Sequence, residues 1–210
     1  VVLAKWPRHG RAKRRLGAAV GTRASTTLAH AFLRDTATLA TRSGADAILV
    51  ACAPPAARRG FGCLFPGATL VAQPRGSFGT RLDRALRCGL VNARTVVLIG
   101  TDSPTLDPRI IRRAFAALSA GADCVLGPSH DGGYYLIGCA APLPQALFRH
   151  MPWSTAEVFA LTCDRAAEAG LRVATLPVWY DVDDAESLAL LRADVGGLRR
   201  APATTAALAG

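Results

Sequence analysis

Short apolar runs alternate with stretches of helical spacing along most of the chain. Residues 1–4 read as a strand. Between 26 and 41, Leu28, Ala31, Phe32 and Leu39 recur at helical spacing and predict a helix. Residues 47–52 predict a second strand, stopped by Pro54-Pro55, and 69–72 a short third one. Leu82, Leu86 and Leu90, at i, i+4 and i+8, predict an amphipathic helix over 79–90. Residues 95–99 are an unbroken β-branched and leucine run, the pattern of a strand buried on both faces. Asp107 can cap the next helix and Pro108 suits its first position, so a helix is expected from 108 to about 119, closing near Gly121. Strands follow at 124–126 and, after a Gly-Gly turn, at 134–139. Ser154-Thr-Ala-Glu157 reads as a capping box opening a helix to about 169. A late strand is expected at 171–178 and a last helix at 184–193. From 195 onward the residues are small and basic without periodicity, which predicts a disordered tail.

Strands alternating with helices predict a mostly parallel sheet covered on both faces. The expected fold is α/β: one Rossmann-like, three-layer α/β/α sandwich over residues 1–194, followed by the tail at 195–210. A length of 210 residues fits one full domain. There is no internal repeat and no interdomain linker.

Composition changes this picture little. Half the residues are apolar and 19% are charged, ordinary for a chain that buries a real core. No apolar run reaches the roughly 20 residues of a membrane span. The apolar stretch at the start is too short for a signal peptide, and the chain opens without Met, so leading residues are expected before it. The six cysteines include no CxxC pair, and the four histidines have no metal-ligand spacing. The cysteines read as reduced thiols in a cytoplasmic protein. The net charge of +10 raises nucleic acid as a partner. All 25 basic residues except Lys5 and Lys13 are arginines, which fits a compositional bias spread over solvated faces. No Asp or Glu precedes Asp35, so the first segment is purely basic.

In open α/β sheets, ligands bind beyond the carboxyl ends of the strands. Three segments in such places carry candidate chemistry. The first is Lys5-Trp-Pro-Arg-His-Gly-Arg-Ala-Lys-Arg-Arg15, where turn amides can approach phosphate and Lys5, Arg8, Lys13 and Arg15 can neutralise it. It is neither a Walker A loop nor a dinucleotide fingerprint, and a solvated basic loop is the bland alternative. The second is Gly100-Thr-Asp-Ser-Pro104, where Asp102 can hold a divalent cation bridging phosphates or simply serve a turn. The third joins Asp131-Gly-Gly-Tyr-Tyr135, Trp153 and Asp181-Val-Asp183. Gly132 and Gly133 permit close backbone approach to a ligand, or form a hairpin turn. Asp181 and Asp183 can reach one metal, or Asp183 can cap the last helix with Glu186 at N3.

These segments resemble the glycosyltransferase-like family DUF2064, also called radical-SAM/selenodomain-associated transferase 1. The resemblance runs from about residue 1 to 190. It is carried by Ala4-Lys-Trp-Pro with Gly10 and Lys13-Arg-Arg-Leu16, Gln73-Pro-Arg-Gly76 with Phe78-Gly-Thr-Arg-Leu82, Gly100-Thr-Asp-Ser-Pro104, Gly127-Pro with Asp131-Gly-Gly-Tyr-Tyr-Leu-Ile-Gly138, Trp153-Ser-Thr155, and Asp181-Val-Asp183. It implies a nucleotide-diphospho-sugar transferase fold of glycosyltransferase-A type with Mg2+ or Mn2+ as cofactor. It implies that Lys5, Gly10, Lys13 and Arg15 line the nucleotide phosphates, and that Gln73, Gly76, Gly79 and Arg81 lie near the base or ribose. It makes Asp102 a metal acid and Asp183 or Asp181 a second ligand. Asp131, Gly132, Gly133 and Trp153 would face the transferred group, with Asp102, Asp131 and Lys13 as the catalytic residues. The family usually has Lys-Thr-Arg where this chain has Lys13-Arg14-Arg15, and an acid where it has Thr80.

The expected activity is therefore glycosyl transfer from a nucleotide-diphospho-sugar to a small acceptor. A nucleotidyltransferase, joining a nucleoside triphosphate to a phosphorylated small molecule with release of pyrophosphate, is the alternative on the same fold. A basic nucleic-acid-binding domain is the non-enzymatic alternative. It predicts aromatics interleaved with the cations, and near the basic segment only Trp6 qualifies. The expected partners are thus a nucleotide-sugar or triphosphate and a small acceptor, with no nucleic acid and no membrane span.

Overall fold

The computed structural model describes all of residues 1–210. In chain order its elements are β1 (Val2–Lys5), α1 (Arg14–Val20), α2 (Thr22–Arg42), β2 (Leu49–Ala53), α3 (Arg58–Leu64), β3 (Thr69–Ala72), α4 (Phe78–Leu90), β4 (Val96–Ile99), α5 (Pro108–Ser119), β5 (Cys124–Pro128), β6 (Tyr134–Cys139), α6 (Val158–Glu168), β7 (Val173–Thr175), α7 (Ala185–Ala193), α8 (Val195–Leu198) and α9 (Pro202–Ala209). The strands form one sheet in the order β3-β2-β1-β4-β6-β5-β7. β6 pairs antiparallel with β4 and β5, and every other pairing is parallel. The mixed, mostly parallel three-layer α/β/α sandwich is thus the observed fold.

Each sheet face has its own core. On one, Leu33, Phe61, Ile110 and Ile111 from α2, α3 and α5 pack against Val50, Val97 and Ile99. On the other, Leu82 and Leu86 of α4 and Ala166 of α6 pack against Leu98, Leu126 and Ile137. The β4 run is buried at all four positions, as its sequence predicts. A third cluster lies outside the sheet and joins Leu16, Leu28 and Phe32 to Val182, Leu188 and Leu191. It fixes α1 and α7 to α2, and so brings the chain around residue 13 to the chain around residue 182.

Several boundaries differ from expectation for local reasons. The second helix starts at Thr22, directly after Gly21, whose φ of 83° ends α1. α3 has no amphipathic repeat and forms around Phe61, which is fully buried and meets the Trp6 ring edge-on at 5.2 Å. The Ser154 capping box does not form. Ser154 takes a left-handed φ of 70°, and α6 starts only at Val158. The tail beyond 194 is not disordered. It folds as α8 and α9, and the buried Asp35 carboxylate of α2 accepts the N–H groups of Ala203 (3.1 Å) and Thr204 (2.7 Å). Those are unpaired donors in the first turn of α9, and a tertiary partner satisfies them.

Candidate active site

β1 and β4 are parallel neighbours with Val2 opposite Ile99, so the chain leaving each of them heads toward the same rim of the sheet. Lys13 precedes α1 with a left-handed φ of 46°. That conformation costs a non-glycine residue roughly 1–2 kcal/mol, and such strain gathers at functional positions. The Lys13 side chain is only 8% exposed, and its ammonium ion-pairs with Asp102 and, at 2.7 Å, with Asp183 Oδ1. Burial works against its charge, but the two carboxylates prevail and hold it above the usual lysine range. The Nζ also lies 5.6 Å from the Phe32 ring centre. Asp102 and Asp183 stay accessible, at 45% and 36%. Asp183 is free for this pairing because Asp184, not Asp183, caps α7. Asp184 accepts from Ser187 N at 3.0 Å, and Ser187 rather than Glu186 completes the capping box.

Asp181 lies beside this cation but does not join it. Its Oδ1 accepts from the Ser103 hydroxyl and its Oδ2 is 3.3 Å from Ser129 Oγ. Burial, then the nearby Asp102 and Asp131 charges, push its carboxyl up to about 6 against the Ser103 hydrogen bond and Lys13. Ser129 Oγ donates to Asp131 Oδ1 at 2.6 Å, and the Gly133 N–H donates to the same oxygen at 3.0 Å. Asp131 therefore forms a hairpin turn between β5 and β6 and also borders the acidic cluster. The glycines after it serve the chain itself. A Cβ on Gly132 would collide with the Ala156 backbone, and one on Gly133 would press on Asp131.

A cavity of about 510 Å³ opens in front of Asp102 and Asp183, lined by Lys5, Trp6, Arg8, Arg11, Lys13 and Arg81, among others. Gln73 also borders it, but both its amide protons are used. Nε2 donates to the Ala4 (2.7 Å) and Ala51 (2.9 Å) carbonyls, and Oε1 accepts from Arg81 Nη1 at 3.2 Å. Arg81 lies over the Phe78 ring, 5.5 Å from its centre. Other expected residues sit elsewhere. Arg15 is largely exposed and reaches Asp183 Oδ2 at 3.4 Å from outside. Gly10 is in the exposed turn behind Arg8, and Gly76 packs on Thr80. Gly79 faces the Phe148 carbonyl and Trp153, so it serves helix packing. Trp153 stands behind Phe78, their ring centres 4.8 Å apart. Arg11 and Phe78 lie within the segments read from the sequence, though without a role of their own there.

Residues 35–155 match the model of the family DUF2064, described as an uncharacterized protein conserved in bacteria. The chain belongs to the DUF2064 family. This DUF2064 chain is similar over 99% of its length to a candidate nucleotide-diphospho-sugar transferase from Desulfovibrio desulfuricans G20. The identity is 29%, with a TM-score of 0.89 and 91% of that chain covered. It shares its fold with a nucleotidyl transferase from Methanothermobacter, at 17% identity and TM-score 0.59, over 94% of this chain and 96% of that one. It also shares it with CMP:2-keto-3-deoxy-manno-octonic acid synthetase complexed with CTP, at 16% identity and TM-score 0.54, over 91% and 95%. No curated protein matches the sequence.

A divalent ion fits the donor set of this DUF2064 chain. No three His, Cys, Asp or Glu side chains cluster closely enough for an all-protein cage. Mg2+ needs none, since it is usually held by one or two carboxylates plus substrate phosphates. Asp102 and Asp183 supply two accessible carboxylates that already converge on one cation.

A second group of residues, silent in the sequence, holds these loops. Val182 N–H donates to the Asp102 carbonyl at 2.8 Å. Thr105 Oγ1 donates to Tyr180 Oη, which donates to Asp194 Oδ2, both at 2.8 Å. Arg200 donates from Nε (3.3 Å) and Nη2 (3.2 Å) to the Thr105 carbonyl. The C-terminal helices are thereby tied to both segments that bear the site's acids.

Proposed function

We propose that this chain is a transferase that uses a nucleotide-activated donor, with Mg2+ or Mn2+ held by Asp102 and Asp183. Its reaction is glycosyl transfer from a nucleotide-diphospho-sugar to a small acceptor. The observation that carries the reading is the meeting of Lys13, Asp102 and Asp183 at the rim of a cation-lined cavity. The likeness to the Desulfovibrio protein along nearly the whole chain supports it. When bound, the metal neutralises charge on the leaving diphosphate. Lys5, Arg8 and Arg11 bind its oxygens from the cavity wall. Lys13 keeps the two carboxylates together and adds positive charge where the leaving group develops negative charge. Asp131 Oδ2 has no protein partner and can accept the proton of an acceptor hydroxyl, while Oδ1 stays fixed by Ser129 and Gly133.

The nucleotidyl alternative is favoured by one feature. Lys5, Arg8, Arg11 and Arg81 place four basic side chains on the cavity, enough for a triphosphate. Two assays separate the readings. A panel of nucleotide-sugars with Mg2+ or Mn2+ should release nucleoside diphosphate in the presence of an acceptor. Pyrophosphate release from a triphosphate and a sugar phosphate, with nucleotide-sugars inert, would establish the alternative instead.

A further inference from the structure

We infer that the hollow between α4 and the loop at 145–153 is a second anion site, one that takes the phosphate of a phosphorylated acceptor. The acceptor role rests on the transferase reading above, whereas anion binding itself does not. The hollow measures about 530 Å³, within the roughly 300–1,000 Å³ of small-molecule sites. Its polar lining includes Thr80, Arg84, Gln145, Arg149 and His150, and Trp153 supplies a flat apolar wall. One carboxylate, Asp83, also borders it, but that group is already paired with Arg87 Nε at 2.8 Å. The guanidinium groups of Arg84 and Arg149 make no hydrogen bond or ion pair within the protein. The hollow therefore holds two uncommitted cations and no uncommitted acid. Guanidinium groups suit phosphate because they donate two parallel hydrogen bonds.

The loop that carries Arg149 and His150 is built firmly. Arg165 Nη1 donates to the carbonyls of Arg149 (2.7 Å) and Ala146 (3.2 Å), and Arg87 Nη2 donates to that of Leu143 (3.1 Å). Leu147 and Phe148 anchor the loop in the core. Gly79 lets α4 approach it closely, since a Cβ there would stand 2.7 Å from the Phe148 carbonyl. His150 and Ser154 both hold left-handed φ values, 51° and 70°, on either side of Met151-Pro152-Trp153. The hollow also shares a wall with the main cavity. Phe78 lines the main cavity, and its ring meets Trp153, which lines the hollow.

Amide NMR titration of the whole chain tests this with inorganic phosphate, glucose 1-phosphate and glucose. The expected result is saturable shifts at Thr80 and His150 with both phosphates, tighter for the ester, and none with glucose. R84A/R149A should weaken these shifts at least tenfold while nucleotide plus Mg2+ still shifts residues 8–13. Both arginines are exposed, so the variant should fold. Phosphate shifts confined to residues 8–13, or unchanged affinity in R84A/R149A, would overturn the anion site. Ester binding no tighter than inorganic phosphate would overturn the acceptor role. If nucleotide leaves residues 8–13 unmoved while phosphate still shifts Thr80 and His150, the transferase reading fails and the anion site stands.

Discussion

Lys13 combines a strained backbone, a buried ammonium and two accessible carboxylate partners. Each explains the next. The left-handed turn directs the side chain inward, and burial without partners would lower its pKa. Asp102 and Asp183 reverse that shift, and Lys13 in turn keeps two like charges at one point. For Lys13→Ala, the expected outcome is nucleotide affinity lowered about tenfold or more, with Mg2+ affinity equal or higher, measured by isothermal titration. The stability loss should stay below the ~3–5 kcal/mol of a broken, fully buried pair, because both carboxylates reach solvent. The sequence marked Lys13 and Asp102 as neighbours of one ligand. It could not mark them as partners, because their meeting depends on a left-handed residue that no local pattern demanded. Gln73 shows the reverse. Its type suggested ligand contact, and in the structure both its amide protons go to carbonyls of β1 and β2 while its oxygen holds Arg81.

At the scale of elements, legibility followed locality. α5 begins where Asp107-Pro108 places it, because cap and first turn are adjacent in sequence. β4 and β6 were legible because burial on both faces leaves unbroken apolar runs. α9 was not, since its small residues carry no stripe and its N-terminal donors are met by Asp35, 168 residues away. Asp35→Ala leaves two N–H groups, one buried and one partly buried, without acceptors, at about 1–3 kcal/mol. Its denaturation midpoint should fall accordingly, and the last helix should lose amide protection first. Tyr180→Phe removes the link between Thr105 and Asp194. Faster hydrogen exchange in residues 101–106 and 179–183, with an unchanged circular dichroism spectrum, is the expected result. Unaltered exchange there would show that the C-terminal helices do not hold the acidic loops.

Across the whole molecule, the sheet places its chemistry at one rim and its inert groups within. All six cysteines are free. Burial pushes the Cys124 and Cys139 thiols up to about 12. Their unfolded counterparts lose protons near 9, so between about 9 and 12 the folded state binds more protons and stability falls as pH rises. Denaturation midpoints from pH 8 to 11 should decline in the native chain and decline less in C124A/C139A. The exposed Cys63 should be alkylated well before either buried thiol.

Thermal stabilisation by nucleoside diphosphates, with and without Mg2+, in the native chain and in Asp102→Asn probes the Lys13–Asp102–Asp183 cluster itself. The native chain should gain several degrees only when nucleotide and metal are both present. The variant should melt cooperatively near the native temperature and lose the metal-dependent gain. An identical metal-dependent gain in Asp102→Asn, or none in the native chain with any nucleotide, would contradict the site assigned to the Lys13–Asp102–Asp183 cluster.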